Sequence, residues 1–272
     1  MKIAQIKCKS LLVDSGLADY AVNCYRGCGH GCRYCYARYI RRFSGHKEPW
    51  GEFVDVRINA REVLEKEVKR KPKGRVFISS VCDGWQPLEE KYRLSRACVQ
   101  ILLEAGFKVT ILTKSAFFLQ DLDILEHPRV SIGATLTTLD EDLRRLFEPG
   151  SSPTLQRIKA LKAADKKGIT VWVFLGPFLP EISDTEENLE ALMKAIARLR
   201  LDHIYLDKLN PRPDIWPSVR EVLEEHFPHL VDYYKKIFFH RPTYKAYTKR
   251  LGQAARLIAQ KHNLFDTMRM SC

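Results

Sequence analysis

Residues 23–39 read NCYRGCGHGCRYCYARY, and this stretch carries Cys28, Cys32 and Cys35 at a C-x3-C-x2-C spacing. Gly27, Gly29 and Gly31 bracket the first two thiols and give the backbone the freedom to turn three sulfurs toward one centre. An ordinary iron-sulfur cube takes four Cys, one per iron. Three from one loop would leave one iron with an open position, as catalytic zinc sites keep one for chemistry. Zinc itself is the competing occupant, but no second C-x2-C or H-x3-H half follows at finger spacing. A purely structural group of thiols is the third reading. Cys24, just ahead of the loop, would close the cube if it were a fourth ligand, and its place at the end of an expected strand argues against that. His30 reads as a hydrogen-bonding loop residue. Cys8, Cys98 and Cys272 stand alone, with Cys98 on the apolar face of an expected helix and therefore in the core.

Outward from this loop, short and almost continuously apolar runs occupy residues 20–23, 75–80, 108–113, 130–135, 170–175 and 203–206. Such runs suit parallel strands covered on both faces. Between them, residues 60–71, 95–105, 117–126, 154–167 and 185–199 have helical spacing. Gly106 and Gly168 stand where helix C-caps are expected, and Ser183 or Asp184 where a helix begins. Six alternations predict an α/β fold, a partial (β/α)6 TIM-like barrel of right-handed parallel connections. Residues just after the strands then line the site. The expected organisation is an extension over residues 1–17, the barrel over 18–215 and a helical basic C-terminal extension over 216–272. No further strand is expected after about Pro217.

The chain has 272 residues, 45% of them hydrophobic and 29% charged, which suits a folded globular protein and excludes a disordered or fibrous one. The opening MKIAQIKCKSLL is broken by Lys2, Lys7 and Lys9, and no apolar run approaches the roughly 18 residues of a membrane span. Neither export nor a membrane is expected, and the location read from this is cytoplasmic. Eight Cys in such a chain then read as reduced thiols used for ligation or catalysis.

Lys and Arg outnumber Asp and Glu by 45 to 33, a formal charge of +12 that favours polyanions but also suits a soluble enzyme of a small substrate. Between His229 and His262 eight basic residues face one acid, Asp232, with Tyr233, Tyr234, Phe238, Phe239, Tyr244 and Tyr247 interleaved. Two readings stand: a lid that tracks phosphates and offers stacking rings, or rings packed inward beneath a solvated basic face.

Cys28-Gly-His-Gly-Cys32-Arg-Tyr-Cys35, with aromatic Tyr34 before the third Cys, resembles the signature of radical S-adenosylmethionine enzymes. Together with SSVCDGWQPLE (79–89), LTKS (112–115) and LFEPGSSPTLQRIKAL (146–161), it is similar to the spore photoproduct lyase-related branch, also called DNA repair photolyase-like. The resemblance spans about residues 18–215. It implies that Cys28, Cys32 and Cys35 hold a [4Fe-4S] cluster whose fourth iron chelates S-adenosyl-L-methionine. One electron, from a donor such as a ferredoxin or flavodoxin, then cleaves the sulfonium to a 5'-deoxyadenosyl radical that abstracts hydrogen from a substrate. Around the cofactor it implies Tyr34 at the cluster, and Ser80, Cys82 and Asp83 at the methionine end. Lys114 and Arg157 are expected near the carboxylate, Thr135 and Thr137 near the ribose, and Gly176 with Pro177 near the adenine. For each, a strand-end hydrogen bond is the plainer alternative. Trp85 reads as a cover for the opening or as core.

One departure matters. The photoproduct lyases proper carry a hydrogen-donating Cys after the second strand, where this chain has Ser80, with Cys82 two residues on. Either Cys82 donates from a shifted place, or the enzyme is not a thymine-dimer lyase; the second reading is preferred. Tyr36 matches a Tyr assigned to hydrogen relay in that branch. Charge, tail and branch together point to a nucleic-acid substrate. Radical modification of a protein or small metabolite, and a non-catalytic iron-sulfur electron carrier or binding module, are the alternatives.

Overall fold

The computed structural model describes residues 1–270, so Cys272 lies outside the described residues. Six strands, β1 (Tyr20–Val22), β2 (Arg75–Ile78), β3 (Lys108–Thr113), β4 (Val130–Leu136), β5 (Thr170–Phe178) and β6 (Leu201–Lys208), lie side by side in chain order. Each neighbouring pair is parallel. This is the expected α/β sheet of a partial TIM-like barrel. Val76, Ile78, Ile111, Ile132, Ala134, Val171 and Val173 are wholly buried along it, which is why these runs carry so few polar residues. Gly133 sits opposite Trp172 in the β4–β5 register. A Cβ there would fall 2.3 Å from the indole, so the large ring on one strand requires a bare backbone on the next.

The sheet has eight strands, two more than expected. Val13–Asp14 pairs antiparallel with β1, and Met268–Met270 pairs parallel with β6. The second corrects the expectation of no strand after Pro217: three residues returning to a sheet edge are too short to show periodicity. A separate sheet of Lys2–Ile6, Phe53–Arg57 and Tyr25–Arg26 also escaped the reading. Its central strand, FVDVR, carries a charge in its middle, and the buried Asp55 is accommodated by Arg26 at 2.7 Å and His46 at 2.8 Å.

Helices Ala60–Glu67, Leu94–Glu104, Thr154–Lys166 and Glu186–Ile196 occupy the expected connections. The last is capped by Thr185, whose side chain accepts from Asn188 N, and not by Ser183 or Asp184. Residues 117–126 form a 3-10 turn, Phe117–Asp121, and one α-turn, Leu122–Leu125, instead of a continuous helix. The buried Asp121 carboxylate holds that break, accepting from Trp85 Nε1 at 2.8 Å and Arg96 Nη1 at 3.0 Å. Trp85 is accordingly core.

The C-terminal extension is helical, as Trp216–His226, Val231–Phe239 and Arg241–Lys261. Tyr234, Phe238 and Tyr247 are buried, Tyr233 and Tyr244 half-buried and Phe239 exposed, while Lys235, Lys236, Lys245, Lys249 and Arg256 are exposed, so all the rings but Phe239 pack at least partly inward beneath a basic face. Tyr247 fixes the extension to the barrel: its hydroxyl donates to Phe178 O at 2.6 Å and accepts from Leu209 N at 3.3 Å. Among the described residues no helix is long and apolar enough to cross a membrane. Gly133→Ala, by forcing a methyl against Trp172, is expected to destabilise the protein by about 1–3 kcal/mol in denaturant unfolding; an unchanged midpoint would show that the indole moves aside freely.

Candidate active site

The chain leaves β1 through Asn23 and enters the three-Cys loop by way of the second, smaller sheet. Gly27 and Gly31 adopt positive φ of 90° and 61°, the left-handed region that favours glycine. Gly31 N donates to Cys28 O and Cys35 N to Cys32 O, each at 3.2 Å, so two successive tight turns carry the three thiols. Cys28 and Cys32 are buried and Cys35 is partly so. Burial pushes all three thiols up, Cys32 to about 12 in spite of the opposing charge of Lys114. A cation that binds them displaces their protons.

Two buried carboxylates hold this loop. Glu148 accepts from the Tyr34 hydroxyl within the loop and from Thr137 Oγ1 at 3.0 Å after β4. It also accepts from Ser151 Oγ at 3.2 Å and pairs with Arg157 at 2.5 Å, both partners having no exposed side-chain surface. Burial alone would raise its pKa, yet Arg157 and Lys114, with the hydrogen bonds of Tyr34 and Arg157, bring it down to about 2. On the other flank Asp83 accepts from Thr113 Oγ1 at 2.7 Å, Trp85 N at 2.9 Å and Lys114 N at 2.7 Å. His30 bridges to it: Nε2 lies 3.1 Å from Asp83 Oδ2, and Nδ1 lies 2.8 Å from Gly150 O. Burial again opposes the charge of Asp83, and His30 with these hydrogen bonds lowers its pKa to about 2. The buried Gln86 amide accepts from Gly29 N at 2.7 Å. A Cβ on Gly150 would fall 2.2 Å from Gly29 O, so the loop rests directly on the backbone of the 146–161 segment.

Tyr34, Lys114, Thr137 and Arg157 thus come together around one carboxylate, with the Lys114 ammonium 5.6 Å from the Tyr34 ring centre. Burial disfavours the Lys114 charge, but Cys32 and Glu148 more than offset it and raise its pKa. Arg157 is placed beneath the site: besides Glu148 it donates to Ser152 O, Thr135 O and Ser151 Oγ. Its fork is engaged by the protein, and its part in this structure is to hold Glu148. Thr135 is buried. Ser80 Oγ accepts from Asn23 Nδ2 at 3.0 Å, and Asn23 Oδ1 accepts from Val81 N at 3.0 Å with Cys82 Sγ 3.7 Å away. Tyr36, 43% exposed, donates its hydroxyl to Ser80 O. Gly176, at φ 119°, precedes Pro177 where a Cβ would meet Asp207 O at 2.4 Å. Cys24 points its sulfur into the core, 3.5 Å from that of the buried Cys98.

The sequence reading missed Glu148, Gln86 and Asn23. Glu148 lay within the quoted 146–161 segment, but an acid in a Glu-Pro-Gly turn ordinarily faces water. The site's donor chemistry suits a [4Fe-4S] cluster. Cys28, Cys32 and Cys35 stand on one loop, two of them buried and one partly so, and soft thiolates select iron-sulfur clusters or zinc. Among the described residues no three His, Cys, Asp or Glu side chains converge closely enough to grip a single ion, whereas a cube spreads its ligands more widely.

Because the folded pKa of Glu148 is depressed from 4.5 to about 2, its stabilisation is complete above the unfolded value and is lost as pH falls through the folded one. The shift corresponds to on the order of 3 kcal/mol. Glu148→Gln is therefore expected to lower stability by roughly that amount at neutral pH, with the gap to the parent narrowing between pH about 4.5 and 2 in denaturant unfolding. A gap independent of pH would contradict the assignment.

Comparison with known proteins agrees with this geometry. The sequence profile of the Radical SAM superfamily matches residues 22–196, more than half of the chain. A protein of Methanocaldococcus jannaschii is 30% identical over 189 residues, covering 68% of this chain and 71% of its own. A protein of Mycobacterium bovis is 28% identical over 281 residues, covering 88% of this chain and 82% of its own. Among solved structures, a spore photoproduct lyase mutant superposes with a TM-score of 0.71 at 16% identity, over 98% of this chain and 81% of its own. A second mutant, with bound AdoMet and dinucleoside spore photoproduct, superposes with a TM-score of 0.70 at 15% identity, over the same shares. With its three-Cys loop mounted on a parallel barrel, this chain belongs to the radical SAM superfamily of enzymes, which use a [4Fe-4S] cluster and S-adenosylmethionine.

Proposed function

We propose that this radical SAM enzyme abstracts hydrogen from a nucleic-acid substrate. The observation that carries the substrate class is the place of the basic extension: Tyr247 binds it to the C-terminal ends of β5 and β6, the side on which barrel enzymes build their sites. Lys235, Lys236, Lys245, Lys249 and Arg256 are exposed on this extension and give it a positive face. The similarity in fold to a lyase bound to a dinucleoside supports the same reading.

In this proposal Cys28, Cys32 and Cys35 hold the cluster, and Tyr34, through Glu148, keeps their loop rigid. Cluster and S-adenosylmethionine supply, on one-electron reduction by a donor such as a ferredoxin or flavodoxin, the radical that takes hydrogen from the substrate. Lys114 offers its ammonium to the cofactor carboxylate. Ser80, Asp83, Thr135, Thr137 and Gly176 shape the walls, and Arg157 acts through Glu148. Tyr36 is exposed and Cys82 is buried, so this reading gives hydrogen relay to the phenol before the thiol. Seven free thiols among the described residues suit a reducing, cytoplasmic setting.

Anaerobic reconstitution with a strong reductant and S-adenosylmethionine is expected to yield 5'-deoxyadenosine, and Cys28→Ser, Cys32→Ser or Cys35→Ser to abolish it. An intact, reducible cluster that yields none would favour an electron carrier. DNA or RNA binding is expected to weaken by roughly a hundredfold or more between 50 and 200 mM salt; no salt-dependent binding would move the substrate to a protein or metabolite. Tyr36→Phe should lower product formation at least about tenfold while 5'-deoxyadenosine release persists, since the phenol acts after the cofactor is cleaved. Unchanged turnover and deuterium distribution in Cys82→Ala would leave that thiol without a part in the transfer.

A further inference from the structure

The 3-10 helix Tyr36–Phe43 leaves the cluster loop as YARYIRRF and ends on Phe43, which at 75% exposure is the most exposed large apolar side chain among the described residues. A single surface aromatic needs no explanation. The setting of this one does. From Arg33 to Lys47 the chain carries Arg33, Arg38, Arg41, Arg42 and Lys47 and no acid. Arg33 pairs with Glu221, and Arg38 donates to Ser218 Oγ at 2.9 Å and to the carbonyls of Cys32 and Arg33. Arg41 and Arg42 are exposed, and among the described residues neither pairs with an acid.

The helix is fixed at three points. At its start Tyr36 donates to Ser80 O after β2, and midway Tyr39 lies under Arg212, 5.1 Å from the ring centre. At its end Phe43 O lies 3.4 Å from Arg26 Nη1. Two guanidiniums that pair with no acid and a bare ring are thus presented on a braced element that begins directly after Cys35. At about 2 Å of rise per residue, Phe43 stands about 14 Å from Tyr36 along the helix axis, a separation of a few nucleotides.

We propose that Phe43 is a base-stacking platform and that Arg41 and Arg42 grip the flanking phosphates, so that this helix holds a nucleic-acid strand whose neighbouring nucleotide enters the site. This assignment rests on the nucleic-acid reading above and adds the surface that carries it. Ring stacking tolerates any base, and guanidiniums add an electrostatic hold that is independent of sequence.

The test measures binding of a fluorescein-labelled single-stranded 20-mer DNA by anisotropy across a salt series, with thermal unfolding of each variant as the control for folding. Phe43→Ala is expected to weaken binding by about tenfold or more with an unchanged salt slope, and Phe43→Trp to restore it. Arg41→Ala combined with Arg42→Ala should reduce the slope of log K against log salt by about 1.4, roughly 0.7 for each lost phosphate contact on a single strand. Release of 5'-deoxyadenosine without substrate should stay at the parent level in all three. If the parent binds DNA and Phe43→Ala and the double Arg variant bind as tightly with the same slope, this surface is wrong and the substrate class stands. If the parent shows no salt-dependent binding, both fall together.

Discussion

A carboxylate with no access to water organises the reactive end of this barrel. Enclosing Glu148 costs several kcal/mol by desolvation alone, and that cost is met only while Arg157, Tyr34, Thr137 and Ser151 stay in place around it. The loop after β4, the helix Thr154–Lys166 and the cluster loop are thereby bound to one point. Asp83 does the same on the opposite flank, where His30, Thr113 and the backbone of Trp85 and Lys114 converge. Between these two anchors runs a loop of glycines and cysteines with almost no apolar core of its own. Lost partners would leave buried charge uncompensated, so the arrangement is held as one unit or not at all.

Rigid mounting has a chemical purpose. An unpaired electron near a substrate attacks whatever hydrogen lies in reach, and the protein's part is orientation and exclusion. Polar groups stand beside the three-Cys loop before any cofactor arrives: Cys32 and Glu148 favour the charged form of Lys114, and His30 Nδ1 lies 2.8 Å from Gly150 O. Preorganised charge of this kind needs no rearrangement during reaction. Directing the Cys24 sulfur to Cys98 leaves three thiols in the loop, the donor number that keeps one iron open to a ligand. On the proposed reading the substrate side is built differently, from the extension clasped by Tyr247 and from the arginine-bearing helix that follows the loop.

Much of this was legible in the chain itself. Six apolar runs separated by helical spacing became the six parallel strands in order, because strands covered on both faces exclude polar residues and so advertise themselves. The thiol spacing, the glycines around it and the residues after the strands were readable for the same reason: local geometry demands particular residue types. The strand Phe53–Arg57 was hidden because Asp55 interrupts its apolar pattern, and Met268–Met270 because three residues carry no period.

What the sequence by itself determined is the class: a three-sulfur loop on a parallel barrel, with the chemistry that such a loop supports. Which polar residues face a ligand and which face one another was decided only by the tertiary structure. Arg157 and Thr137 read as cofactor contacts, with strand-end hydrogen bonds as the alternative, and folding turned both onto Glu148. A side chain's charge is written in the sequence, but its partner lies across the fold, and the dielectric around it exists only once the chain has closed over it.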